Sequence, residues 1–182
     1  MGMAVGTVEF NSIAAGVAAG DCMLKTAQVQ LLSAQPVCPG KYIVAVSGDT
    51  AGVKVAVEAG ERFGAEHVVD SLVIANIHPD VIRAVAGTAD VRAGEAVGVI
   101  ETYSLCASIT AADCAVKAAD IDLIEVRLGR GLGGKSFVVL TGNVADVTAA
   151  ADAAKAQLMN EGMLLNTEVI PALHPDMMAA LL

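Results

Sequence analysis

The chain has 182 residues, with 20 Asp and Glu against 11 Lys and Arg for a net charge of −9, and only 3% aromatic residues. A surface of that kind lacks the clustered cations and stacking rings that a nucleic-acid interface uses. Hydrophobic residues reach 55%, yet no apolar run approaches the ~18 residues needed to cross a bilayer, so the surplus apolar area is expected to be buried within and between protein chains. The first residues, Met1 to Gly6, show neither the basic nor the apolar region of a secretory signal, and the four cysteines have no framework spacing. A cytosolic location is expected, with Cys22, Cys38, Cys106 and Cys114 as reduced thiols or metal ligands.

In chain order, Thr7 to Phe10 reads as a short strand, and Ser12 as the N-cap of a helix running to about Thr26. Val29 to Leu32 is a second strand, and a loop from Gln35 to Gly40 leads to a third at Tyr42 to Ser47. Gly48-Asp49 opens a helix from about Ala51 to Phe63. A fourth strand, His67 to Ile74, is followed by His78-Pro79 and a short helix, Asp80 to Val85, that ends at Gly87. Gly87 to Gly94 joins this unit to a second of the same kind. Val5-Gly6-Thr7-Val8-Glu9 lies on Val97-Gly98-Val99-Ile100-Glu101, and the alignment runs without a gap to Gln35 and Arg127, with eleven of its 31 pairs identical. Two later insertions in the second copy then bring Gly40-Lys41 onto Gly134-Lys135 and His78-Pro79 onto His174-Pro175. The fold class is therefore α/β (α+β), two tandem ferredoxin-like βαββαβ domains, residues 1–90 and 91–182, each with a terminal helix.

Three motifs invite a chemical reading. Gly129-Arg130-Gly131-Leu132-Gly133-Gly134-Lys135-Ser136 satisfies the phosphate-loop pattern, but such a loop must open a helix whose free N–H groups hold the phosphate. Here Phe137 to Leu140 reads as a strand, and the first copy has no such string, so a tight glycine-rich turn is the expectation. Cys38 sits in Pro36-Val37-Cys38-Pro39-Gly40, a stiff loop expected to be exposed. It could be a surface thiol, a redox-sensing thiol, or a ligand of a metal or cluster, the last only if symmetry brings several chains together. Cys22 and Cys114 share one helical position, Cys106 is placed on the opposite helix of its copy, and all three are expected to fill space as small hydrophobes. His67, His78 and His174 are expected in local hydrogen bonds, the last two as helix caps. Glu9 and Glu101 are strand-end carboxylates of structural role, and no catalytic residue is assigned.

The opening Val-Gly-x-Val/Ile-Glu strand, together with Asp21-Cys22-Met23-Leu24-Lys25-Thr26-Ala27 and Asp113-Cys114-Ala115-Val116-Lys117-Ala118-Ala119, resembles the bacterial microcompartment shell domain. The resemblance covers the chain twice in unpermuted order. It implies the tandem-domain class, whose homotrimers are pseudohexameric tiles packed edge to edge with other shell proteins in the cytoplasmic shell of a microcompartment. It places Lys25 and Lys117 at the tile edge. The loop around Cys38 and the stretch Ser71 to Pro79 are similar to the tandem-domain proteins of propanediol-utilisation compartments, in which a loop cysteine from each of three chains binds a [4Fe-4S] cluster at the central pore. That resemblance implies Cys38 as the cofactor and metal ligand, pore loops containing Val37, Pro39, Gly40, Arg130, Gly131, Leu132 and Gly133, and a redox partner for electron transfer across the shell. The alternatives are a metabolite-pore tile without a cluster, an effector-binding regulatory protein of ferredoxin-like topology, and a nucleotide hydrolase.

Overall fold

The computed structural model describes residues 3–91, 94–129 and 131–181. Each half is a four-stranded antiparallel sheet with two long helices. The first half runs β1 (Ala4–Phe10), α1 (Ile13–Thr26), β2 (Gln30–Val37), β3 (Lys41–Gly48), α2 (Thr50–Gly64), β4 (Val68–Ile74) and α3 (Pro79–Val85). The second runs β5 (Ala96–Thr102), α4 (Leu105–Ala118), β6 (Asp122–Arg127), β7 (Ser136–Gly142), α5 (Val144–Glu161), β8 (Leu164–Pro171) and α6 (Pro175–Leu181). The sheet orders are β2-β3-β1-β4 and β6-β7-β5-β8, which is the expected split βαβ arrangement repeated.

Capping chemistry sets the helix starts as the sequence predicts. The side chains of Ser12 and Ser104 accept from Ala15 N and Ala107 N, and those of Asp49 and Asn143 do the same for α2 and α5. One boundary differs. β2 continues through Pro36 and Val37, where a loop is expected, because β2 is an edge strand on which a missing N–H leaves no ladder bond unmade. Cys106 also differs from expectation: it lies in the first turn of α4, on the same helix as Cys114.

Alternation along β1 explains how the halves join, since successive side chains of a strand point to opposite faces. Ala4, Val8 and Phe10 enter a core with Met23, Val53 and Val57 of their own half. Val5 joins a second core with Leu105, Ile109, Val81 and Ala84, so the other face of the first sheet is buried against α4. All seven residues of β1 are consequently buried. The short helix α3 reaches forward in the same way and packs on β6 and α4 of the second half. Its counterpart α6 has no buried residue.

Candidate functional site

The two loops between second and third strands meet each other within one chain. Cys38 N–H donates to the Gly129 carbonyl at 3.0 Å. A Cβ built on Gly129 would lie 3.2 Å from Val37 Cβ, and one on Gly134 would lie 3.2 Å from Pro39 Cδ. Gly129, Gly131, Gly133 and Gly134 all have positive φ, between 63° and 90°, a conformation that glycine adopts without steric cost. Glycine at 129 thus serves both close approach and backbone turn. Cys38 is half-buried, Pro39 and Gly40 are exposed, Gly131 and Gly133 are exposed, Leu132 is intermediate, and Val37 is buried beneath the pair. Arg130 lies outside the described residues.

The phosphate-loop pattern has no phosphate-loop structure. Its loop leads directly into β7, and the Ser136 hydroxyl is buried, engaged with the Arg127 carbonyl and the Ser108 hydroxyl. Among the described residues a strand and not a helix follows, so the helix N-terminus that a phosphate loop uses is missing at this position.

The histidines serve locally. His78 Nδ1 accepts from Asp80 N at 3.3 Å and His174 Nδ1 from Asp176 N at 3.2 Å, while His67 Nδ1 pairs with Asn11 Oδ1 at 2.9 Å. Lys25 and Lys117 each form an i,i+4 ion pair, with Asp21 at 2.6 Å and Asp113 at 2.5 Å. Asp113 has a second task that the sequence does not reveal. Its carboxylate also accepts from His78 N at 2.9 Å, so α4 of the second half anchors the start of α3.

A polar cluster missed by sequence reading lies between the halves. Glu9 and Asp70 face each other across β1 and β4, and Cys106 of α4 comes against them. Ligand atoms of the three lie within 4.8 Å of one another. Thr7 Oγ1 is 3.2 Å from Cys106 Sγ, and Lys41 Nζ donates to Glu9 Oε1 at 2.7 Å. Glu9 is fully buried, and its Oε2 has no hydrogen-bond partner among the described residues. Burial pushes the Cys106 thiol far above its ordinary range, and the Asp70 carboxylate acts in the same direction. The cross-strand register of Glu9 with Asp70 was the available signal; Cys106 could be added only by knowing how the halves pack.

Comparison with known proteins places this geometry in context. The family model described as the BMC domain matches twice, over residues 4–77 and 96–173. The chain is 42% identical over 177 residues to the bacterial microcompartment shell protein PduT of Citrobacter freundii, covering 97% of this chain and 96% of that protein. It is also 42% identical over 84 residues to the bacterial microcompartment shell protein EutM of Escherichia coli (strain K12), 46% of this chain and 84% of that one, so a single half matches most of a relative. Among solved structures, the crystal structure of a microcompartments protein from Desulfitobacterium hafniense DCB matches with a TM-score of 0.95 and 45% identity, over 98% of this chain and 99% of that one.

Proposed function

The chain belongs to the BMC domain family and is a microcompartment shell protein rather than an enzyme, and from that premise we propose that three copies close head to tail into a pseudohexameric tile with an iron–sulfur cluster at its centre. The observation that carries the trimer is the unequal cover of two equivalent helices. Within the chain, α4 is overlaid by β1, β4 and α3. Its repeat partner α1 exposes Ile13, Val17 and Leu24, and α6 is without buried residues. Laying α6 and the free face of β5 and β8 from one chain onto α1 and β2 of the next would reproduce the internal contact. Such a heterologous contact generates a ring when its rotation closes.

The paired loops support the central assignment. Iron–sulfur clusters are held by several thiolates, and each chain offers one at this place, Cys38, with the other three cysteines on helices. Three Cys38 thiolates around the axis fit that donor chemistry, and a bound [4Fe-4S] cluster would supply one-electron transfer across the shell to a redox partner. Cys38 N–H, tied to the Gly129 carbonyl, fixes the thiol-bearing backbone against the glycine loop. Pro39, Gly40, Gly131, Leu132 and Gly133 form the exposed rim of this pair, with Val37 as its buried support. Outside the centre, Lys25 and Lys117, positioned by Asp21 and Asp113, contact neighbouring shell proteins along the tile edge.

Iron and acid-labile sulfide measured on anaerobically purified protein, beside the mass of the assembly, test both parts. About four irons per three chains, lost in Cys38→Ser while the trimer mass is kept, is the expected result. A trimer with no iron in either protein leaves the tile but replaces the cluster with an open metabolite pore.

A further inference from the structure

We propose that Glu9, Asp70 and Cys106 form a zinc-class divalent cation site that clamps the two halves of the chain together. Three features of the cluster favour a cation over a purely structural contact. First, two carboxylates are opposed on neighbouring strands, an arrangement that repels unless something positive lies between them. Second, Glu9 is fully buried and one of its oxygens has no partner among the described residues. A buried, unsatisfied carboxylate oxygen is costly, and cation coordination is one of the few ways of relieving it. Third, the donor set joins a thiol to two carboxylates, which suits zinc better than the oxygen-seeking magnesium or calcium.

The surroundings agree in charge and reach. Lys41 occupies the other oxygen of Glu9 at 2.7 Å, leaving Oε2 for a second positive group. A divalent ion together with Lys41 would neutralise two carboxylates and a thiolate. The three ligand atoms, within 4.8 Å of one another, need only small side-chain rotations to reach one ion at roughly 2.0 to 2.3 Å. On binding a cation the Cys106 thiol would lose its proton to solvent, because the thiolate is the ligating form. Asp70, partly exposed, is the entry side.

The repeat supplies an internal control. In the second half the positions of Glu9 and Asp70 are held by Glu101 and Asn166, paired across β5 and β8, and the position of Cys106 corresponds to Ala14 in α1. The full donor set therefore exists at the contact inside the chain and not at the outer one. This inference stands apart from the cluster at Cys38 and survives its failure.

The test uses the full-length Cys38→Ser protein, so that the loop thiol cannot contribute. Metal-stripped protein is titrated with Zn²⁺ and, separately, with Co²⁺. One ion of zinc per chain is expected, with a thiolate-to-cobalt absorption band in the near ultraviolet. Cys106→Ala in the same background should abolish the band, and Asp70→Asn should weaken zinc binding by at least about tenfold. Both substitutions install the residue that the other half carries, so folding should survive, as checked by assembly mass and melting. Should either fail to fold, the other still decides. Absence of zinc from Cys38→Ser, or zinc and cobalt signals unchanged by both substitutions, overturns the proposal.

Discussion

Helices α1 and α4 occupy the same position in the repeat and have opposite surroundings. Leu105 and Ile109 of α4 are fully buried, whereas the equivalent Ile13 and Val17 are 46% and 53% exposed. Asp113 is buried and holds both Lys117 and the His78 N–H, while Asp21 is exposed and, among the described residues, holds only Lys25. The side chains are apolar in both helices, but among the described residues only α4 has a covering surface. The difference teaches that an apolar residue of this protein is assigned to a contact and not to a half. In the proposed trimer, what α4 receives from β1, β4 and α3, α1 receives from another copy.

Substitutions at matched positions would break or sharpen that comparison. The largest effect is expected at the inner contact: Ile109→Ala should lower chain stability by about 2–5 kcal/mol, read by denaturant unfolding. Ile109→Asp should leave little soluble protein. At the outer contact, Val17→Asp should leave a folded chain with native circular dichroism but shift the assembly to monomer by sedimentation. A persisting trimer would mean that α1 is not the contact. Next in size is the paired carboxylate. Asp113→Ala strands the His78 N–H and should cost about 1–3 kcal/mol, whereas Asp21→Ala should cost the isolated chain well under 1 kcal/mol, its effect appearing only in assembly. Gly129→Ala should destabilise by at least about 1 kcal/mol through its positive φ and its crowding against Val37 and Leu105; Gly131→Ala, in open space, should cost less. The smallest stability change is expected for Lys25→Ala, whose exposed pair contributes about 0.5 kcal/mol or less. Electron microscopy of overexpressed protein should nevertheless show ordered arrays lost in that variant.

Much of the fold was legible because its signals are local. Ser12, Asp49, Ser104 and Asn143 announce the helices they cap, and the repeat of Val5 to Glu9 in Val97 to Glu101 announces the duplication. The end of β2 was not legible, because tolerance of Pro36 depends on its being at a sheet edge. The Cys38 loop could be singled out from its prolines, but its bond to Gly129 joins loops whose proximity only the packed halves create. Cys106 was misplaced for a related reason: apolar helical positions identify a buried thiol, not the strand pair it faces. Glu9 likewise read as a strand-end carboxylate until Asp70, Lys41 and α4 were set around it. Long-range contacts of this sort follow from how α3 and β1 meet the second half, and no short sequence window contains that.

Helix α3, which leaves its own half to lie on β6 and α4, has a consequence for size. If α6 makes the same step onto the next chain, the rotation between the halves of one molecule is also the rotation between molecules. Six such steps must then complete one turn for three chains to close without a gap. The inner contact would act as the protractor of the whole ring. A substitution between β4 and α4 that tilts the halves by a few degrees could leave every domain intact and still yield an open spiral.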